Sequence, residues 1–293
     1  YEVPAGSGIN AVYATNIWVG GMANGELRMA AATYSQAGVG FEFFPGPLAA
    51  DGTPPSDCTQ YDRIWKINRT DVEAYERTGT AVPDLAEWPW QLGAPVVDGD
   101  GNPNNYDLAA GDRPELLGDQ MLWWVMNDAA GEHLTTLAPA VGLEIQVTAF
   151  AFSTADALNN TTFYKYKLLY KPLDNATLDD AWIGIWSDTD LGQYTDDFVG
   201  VDTTLGLGFT YNGDNFDESG SVLGYLNNPA AVGYDFFQGP LVDSNGDGQL
   251  DEETDERLGT TRFVYYNNTN GIPTGNPADA EDMYGYLQGI WTD

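Results

Sequence analysis

The chain has 293 residues, with 44 acidic residues against 11 basic ones and a formal net charge of −33. This charge argues against nucleic acid or an anionic membrane surface as a partner, because both would be repelled. No run of about 18 apolar residues is present, so we expect no membrane insertion. The composition is 43% hydrophobic, which predicts a large core in one β-rich domain, 1–293, or two intimately packed β subdomains with a boundary near 115–140.

Strand patterns dominate the chain. Alternating or continuous β-branched and aromatic runs predict strands at 11–19, 26–34, 121–126, 143–152, 162–170, 181–186, 205–211 and 261–266. We expect 146–152 and 163–170 to pair antiparallel. Helix signals are confined to 70–77 and 279–287. The pattern is typical of a mostly β protein, an antiparallel β-sandwich or jelly-roll-like fold with long acidic loops and a few short helices.

The first acidic loop follows Val97 and is too rich in Gly, Pro and Asn for regular structure. Hard cations such as Ca²⁺ prefer carboxylate and carbonyl oxygens. The loop offers such oxygens, although Pro103 disturbs the usual spacing of a calcium loop. The candidate ligands are Asp98, Asp100, Asn102, Asp107 and Asp112.

A second acidic cluster comes directly after the apolar strand predicted at 181–186. Five carboxylates beside the end of a buried sheet repel one another unless cations or protons neutralise them. We interpret the cluster as a Ca²⁺ site, with solvated loop carboxylates and Asx turns as the alternative. Its members are Asp188, Asp190, Asp196, Asp197 and Asp202. Asp217, further along the chain, is interpreted as a solvated acid outside the loops.

The most specific motif begins at Asp243, where oxygen donors recur at every second residue around a glycine. This spacing predicts a calcium loop, and a solvated acidic turn is the alternative. Gly and Pro in the preceding residues argue against the entering helix of an EF-hand. Thr254 stands where an EF-hand has its bidentate Glu, so Glu252, Glu253 or Asp255 would close the shell. The predicted ligands are Asp243, Asn245, Asp247, Gln249, Asp251 and Glu253.

Catalytic motifs are weak. The only histidine, His133, rules out a two-histidine zinc motif, and we expect it in a turn or at an interface. No Gly-x-Ser-x-Gly elbow is present. Among so many carboxylates a glycosidase pair is conceivable, but nothing in the sequence selects one. We therefore leave enzymatic activity open and regard its absence as the better interpretation.

Four segments resemble a family of large secreted Bacteroidota proteins that carry a C-terminal type IX secretion sorting domain. They are residues 13–21, 57–69, 118–128 and above all the block from Trp186 to Asp202, with its Asp-Leu-Gly and Asp-Asp-Phe-Val-Gly-x-Asp strings. Two departures are Val201, where relatives often have Cys, and the end of the chain at Asp293, where relatives continue. The resemblance implies an exported β-rich protein at the cell surface or released from it. The start at Tyr1 fits an expected mature product without its export signal.

These features predict a secreted, calcium-stabilised structural or adhesive protein of the cell surface, such as the self-associating subunit of an extracellular filament. Its partners would be further copies, other surface proteins or glycans. The acidity is also that of a halophilic protein, since salt or bound Ca²⁺ would screen the self-repulsion. The alternative functions are a carbohydrate-binding module and part of a secreted polysaccharide or peptide hydrolase.

Overall fold

A computed structural model describes residues 1–33, 41–251, 253–269 and 275–290. The protein is mostly β, with 31% strand against 14% helix, and its architecture is consistent with a β-sandwich. All pairs between the described strands are antiparallel. The predicted fold class is therefore confirmed. None of the helices in the described ranges is long and apolar enough to cross a membrane.

The described strands, in chain order, are β1 (Ala14–Ala23), β2 (Glu26–Ala30), β3 (Phe44–Pro45), β4 (Trp65–Asn68), β5 (Val96–Val97), β6 (Arg113–Pro114), β7 (Gln120–Asn127), β8 (Leu143–Ala151), β9 (Thr162–Tyr170), β10 (Asp179–Asp188), β11 (Asp197–Asp202), β12 (Leu207–Asn212), β13 (Ala231–Asp235), β14 (Leu241–Val242) and β15 (Glu256–Arg257). The described α-helices are α1 (Arg69–Thr78), α2 (Pro83–Ala86) and α3 (Ala280–Leu287). Short 3-10 turns lie at Thr59–Tyr61, Trp90–Leu92, Leu108–Ala110, Ala157–Asn160 and Tyr194–Asp196.

The chain divides into two compact units. The first unit comprises Tyr1–Gly40, Leu134–Ala138 and Asp179–Asp293, and the second comprises Phe41–His133 and Pro139–Leu178. Each unit has its own sheets and its own buried core. Each also contains one of the two acidic loops that are closed by a short hairpin, as described below.

The first unit contains the three-stranded sheets β10-β1-β2 and β11-β12-β13 and the two-stranded ribbon β14-β15. Helix α3 packs its buried residues Met283 and Tyr284 on the first of these sheets. Trp18 and Trp186 stack beneath it with ring centroids 6.1 Å apart. Burying large aromatic side chains of this kind contributes a few kcal/mol each to the core.

The second unit is built on the sheet β3-β7-β8-β9, in which β4 also pairs with β7. Alternate side chains of β7, including Met121, Trp123 and Val125, form a core with residues of β4 and with Leu85 of α2. Strand β8 is buried along most of its length. It pairs with β9 from Leu143 opposite Tyr170 to Ala151 opposite Thr162, which confirms the predicted antiparallel pair.

Both predicted helices are present, and each begins after a capping residue, which for α1 is Asn68 and not Thr70. Asn68 and Asp71 form a capping box at the start of α1, and Gly79 ends the helix with φ of 70°. The carboxylate of Asp279 accepts hydrogen bonds from the backbone N–H groups of Glu281 and Asp282 at the start of α3.

Two local predictions differ from the structure. Residues 261–266 form no strand, and the ring of Phe263 packs against Gly208 of β12. Conversely, 197–202 was interpreted as part of a loop and is strand β11. The predicted strand at 26–34 ends at Ala30, and its last residue, Tyr34, lies outside the described residues.

Candidate metal centres

Loop 98–112 of the second unit is closed by a two-residue hairpin. Val97 of β5 and Arg113 of β6 are strand partners, so the two ends of the loop lie next to each other. At its start, one oxygen of Asp98 accepts hydrogen bonds from the N–H groups of Asp100, Gly101 and Asn102. At its end, Asp112 accepts one from Gly99 at 2.8 Å and one from Asp107 at 2.7 Å. The loop therefore wraps around its own carboxylates.

Three carboxylates meet in this loop. Oxygens of Asp98, Asp100 and Asp112 lie within 4.8 Å of one another, the one such group of acidic, His or Cys residues found among the described residues. Asp112 is buried, whereas Asp98 and Asp100 are exposed. Hydrogen bonds from the Asn105 amide and the Asn102 N–H lower the pKa of Asp100, which favours its charged form. A set of oxygens with this charge suits a hard cation.

The other predicted ligands of this loop have different positions. Asp107 uses its carboxylate to accept a hydrogen bond from the N–H of Ala109, which caps the 3-10 turn Leu108–Ala110. Asn102 accepts from the N–H of Asn104 at 3.3 Å. Neither belongs to the group of three carboxylates, although both lie on the same loop.

Loop 243–255 of the first unit has the same plan. Val242 of β14 and Glu256 of β15 are strand partners. Asp243 accepts hydrogen bonds from the N–H groups of Gly246, Asp247 and Gly248. Asp255 accepts from Ser244 and Asp251, both at 2.9 Å, as Asp112 does in the other loop.

The remaining predicted ligands lie along loop 243–255. Asn245 and Asp247 accept hydrogen bonds from N–H groups two residues ahead, and Asp251 accepts from Glu253 and Thr254. The Thr254 hydroxyl also donates to Asp251 and is the largest cause of the lowered pKa of that carboxyl. Gln249 and Glu253 are exposed, and Glu252 lies outside the described residues. Asp255, one of the residues expected to close the shell, connects Ser244 at the start of the loop with Asp251 near its end.

A close backbone approach holds loop 98–112 together. A Cβ atom on Gly99 would lie 2.3 Å from the carbonyl carbon of Gly111, a distance that real Cβ contacts essentially never show. Gly101 and Gly246, at equivalent positions of the two loops, have φ of 80° and 76°, which favours glycine at both.

We expect Gly99→Ala to force the two segments of the loop apart, lowering the stability of the protein by about 1–3 kcal/mol. Its calcium affinity should fall at least about tenfold, because Asp112 is tied to the N–H of Gly99. Gly285→Ala in α3 is the control: nothing lies within 4 Å of its Cβ position, and it should stabilise by about 0.5–1 kcal/mol. Titration calorimetry and urea unfolding measure both effects. Unchanged calcium affinity and stability in Gly99→Ala would contradict the packing described for this loop.

The third predicted cluster is divided by the structure. Asp188 ends β10, and Asp197 begins β11 with Asp196 just before it. Asp202 ends β11, about 17 Å from Asp197 for a strand of this length, and accepts from the N–H groups of Thr204 and Leu205. Asp202 therefore lies apart from Asp196 and Asp197, at the other end of the strand.

Burial raises the pKa values of Asp188, Asp190 and Asp197. The pKa of Asp197 is raised to about 7, mainly by burial and further by the charges of Asp196, Asp217 and Asp190. The pKa of Asp188 is raised to about 6 by burial and by Asp190, and burial raises that of Asp190 as well. These carboxylates are costly to ionise without a compensating charge.

Two residues were misjudged from sequence. Asp217, interpreted as a solvated acid, is fully buried and accepts hydrogen bonds from the N–H groups of Gln193 and Tyr225. His133, expected in a turn or at an interface, is also buried. Its Nδ1 lies 3.2 Å from the Glu42 carboxylate, and its Nε2 lies 2.7 Å from the carbonyl oxygen of Asp128.

Comparison of the chain with family models, with curated proteins and with solved structures finds no match. Each candidate centre offers oxygen ligands from carboxylates and amides, which is the donor set that Ca²⁺ prefers.

Proposed function

We propose that the chain is a secreted, calcium-stabilised structural or adhesive protein of the cell surface that works by self-association. The observation that carries this proposal is the group formed by Asp98, Asp100 and Asp112, whose oxygens lie within 4.8 Å of one another. In a protein of net charge −33, such a group needs a counter-charge. The one basic residue of β6, Arg113, forms its ion pair with Glu76.

The second loop supports the same interpretation. Like loop 98–112, loop 243–255 is closed by a pair of strand residues. Its first aspartate accepts hydrogen bonds from several backbone N–H groups, and its last aspartate accepts one from the start of the loop. Both loops are mostly exposed, and exposed sites of this kind suit the weak affinities of extracellular calcium modules, roughly 10⁻⁴–10⁻³ M. The resemblance to sorted surface proteins supports the same location.

Strand β11 supports self-association. It lies at the edge of the sheet β11-β12-β13, so one side of its backbone faces no other strand of that sheet. Phe198, Val199 and Val201 are exposed on it, and a groove of about 400 Å³ runs along it beside Phe263 and Tyr265. Exposed apolar edge strands pair readily with strands of other chains. The described tryptophans, by contrast, are buried or half-buried, which gives the glycan-binding alternative no exposed indole platform.

We expect Val199→Lys to weaken self-association at least about tenfold, because a lysine on an edge strand opposes pairing with another chain. Val222→Lys is a matched control, since Val222 is 41% exposed and Val199 is 42% exposed, and Val222 lies in a loop. Sedimentation velocity in calcium and salt, over a range of protein concentrations, measures the effect. Equal association of the two variants would rule out β11 as the contact.

The same material tests the function as a whole. The wild-type protein should form higher oligomers or filaments in calcium, visible by negative-stain microscopy, and should not turn over a library of polysaccharides and peptides. A protein that remains monomeric under these conditions and hydrolyses a member of the library at an enzyme-like rate would overturn the proposal. Binding to an insoluble glycan without self-association would favour the carbohydrate-binding alternative.

A further inference from the structure

Among the buried side-chain oxygens of the first unit that have no hydrogen-bond partner, four lie on residues between 193 and 212. They are Oε1 of Gln193, Oδ1 of Asp196, Oδ1 of Asp197 and Oδ1 of Asn212. Gln193 and Asn212 are themselves only 8% and 7% exposed. A buried oxygen without a donor costs about 1–3 kcal/mol, so several in one region call for an explanation.

Gln193, Asp196 and Asp197 lie within five consecutive residues of the chain, and Asn212 faces the last of them. Asp197 and Asn212 are directly opposite each other in the β11-β12 ladder, so their side chains share a face of the sheet. The N–H of Leu191 donates to Asp197 at 3.1 Å, and the N–H of Gln193 donates to Asp217, also at 3.1 Å. Residues 191–193 therefore connect the two carboxylates.

The amide of Asn212 is oriented by a second contact. Its Nδ2 donates to the carbonyl oxygen of Asp214 at 3.3 Å, which leaves Oδ1 as the unpartnered atom. Residue 192 has no room for a side chain, because a Cβ atom on Gly192 would lie 2.1 Å from an oxygen of Asp217. The backbone at residue 192 thus packs directly against a buried carboxylate.

Negative charge accumulates here without a basic partner. The charges of Asp190, Asp196 and Asp217 all act on Asp197. In the part of the chain that the structure describes, none of these four carboxylates forms an ion pair with Lys, Arg or His. A proton on Asp197 would serve as donor to one neighbouring oxygen and leave the others unsatisfied.

We propose that this cluster is a buried cation site, in which Gln193, Asp196, Asp197 and Asn212 supply their unpartnered oxygens and Asp217 supplies further charge. The three carboxylates would leave a divalent cation with a net charge of about −1. Ligands that are all oxygen, with amide carbonyls among them, favour Ca²⁺ over Zn²⁺. The site is separate from the two hairpin-closed loops, and only Asp196 and Asp197 were among its predicted ligands.

Substitutions of the two amides test the proposal, because they change no charge. Gln193→Met and Asn212→Leu remove an unpartnered oxygen at similar volume. In chelator we expect Gln193→Met to be as stable as the wild type or more stable, because a buried unsatisfied oxygen is gone. In calcium we expect each variant to bind one ion fewer per chain, or to bind the ion of this site at least about tenfold more weakly. Titration calorimetry and equilibrium dialysis with Ca²⁺ alone provide the readout.

Two further variants make the result decisive. Gln146→Met is the matched control: Gln146 is also buried with an unpartnered Oε1, but lies in the second unit, and it should leave calcium binding unchanged. Asn212→Asp keeps the ligand oxygen and should retain the ion. Buried water is the alternative donor to these oxygens. If Gln193→Met and Asn212→Leu fold normally and bind as many ions as the wild type with the same affinity, the site holds water and the proposal is wrong.

The loops and the buried site are distinguished in the double variant Asp98→Ala/Asp247→Ala. It should lose the loop ions and keep the ion that depends on Asn212. Loss of an ion in Asn212→Leu but none in the double variant would refute the loop sites and leave the buried site standing. The reverse result would refute the buried site alone.

Discussion

Calcium at about a hundredfold excess over its dissociation constant should stabilise each compact unit by about 2.7 kcal/mol through its hairpin-closed loop. The physical reason is that folding brings three carboxylates of loop 98–112 within 4.8 Å of one another and closes loop 243–255 around Asp243 and Asp255, whereas the unfolded chain holds these groups apart. Loop 98–112 lies in the second unit and loop 243–255 in the first, so both units should respond. Chelation should lower the midpoints of urea unfolding accordingly.

The measurement needs a control for screening, because any salt reduces the self-repulsion of a chain with net charge −33. Unfolding in calcium is therefore compared with unfolding in chelator at equal ionic strength. Asp98→Ala should remove most of the calcium-dependent gain of the second unit, and Asp247→Ala should remove the part of the first unit's gain that loop 243–255 supplies. Glu73→Ala removes an exposed carboxylate of α1 and should leave the gain intact. Asp217 does not serve as this control because it is buried. Midpoints that are the same in calcium and in chelator would refute calcium binding by the loops.

The substitution Asp128→Ala should destabilise the second unit by about 3–5 kcal/mol. The carboxylate of Asp128 is buried and accepts hydrogen bonds from the N–H groups of Val141, Gly142 and Leu143, at distances between 2.6 and 3.3 Å. It thereby fixes the point where the chain returns to begin β8. Removing it leaves several buried N–H groups without an acceptor. Burial also raises the pKa of Asp128, since the charged form is poorly solvated there.

Asp156→Ala is the control for this prediction. Asp156 also caps a turn, accepting from the Leu158 N–H and the Thr154 hydroxyl, but it is exposed. Its loss should cost about 0.5–1 kcal/mol. Urea unfolding of both variants in the same buffer gives the comparison. A cost for Asp128→Ala no larger than that for Asp156→Ala would show that the three N–H groups find other acceptors.

The main strands and both longer helices could be predicted from sequence, because their signals are local. Alternation along β7 and the cap residues of α1 and α3 depend only on neighbours in the chain. Residues 261–266 show the limit of this reasoning. Their aromatic side chains suit a strand, but whether a backbone finds a free sheet edge depends on the whole fold.

Some residues of the candidate sites could likewise be predicted from local spacing, and others depend on the three-dimensional fold. The spacing from Asp243 to Asp251 points to a loop rich in oxygen ligands, yet the role of Asp255 follows from hairpin closure, which spacing does not show. The signal available for it was the shared order of a Val-Asp start and a final Asp in both loops. Asp217 and Asn212 lie outside any motif, and Gln193 lies within the block from Trp186 to Asp202 but is not one of its carboxylates. Their association with Asp197 depends on the β11-β12 register and on the packing of residues 191–193.

The hairpin closure of the two acidic loops has an evolutionary and practical consequence. Because Val97 and Arg113, and likewise Val242 and Glu256, are strand partners, the ends of each loop lie about 5 Å apart, as in a tight turn. A two-residue turn can therefore replace either loop without a change in strand register. In the same way, either loop can be inserted into a hairpin of another protein. A protein built in this way can exchange its acidic loops one at a time while its sheets remain the same.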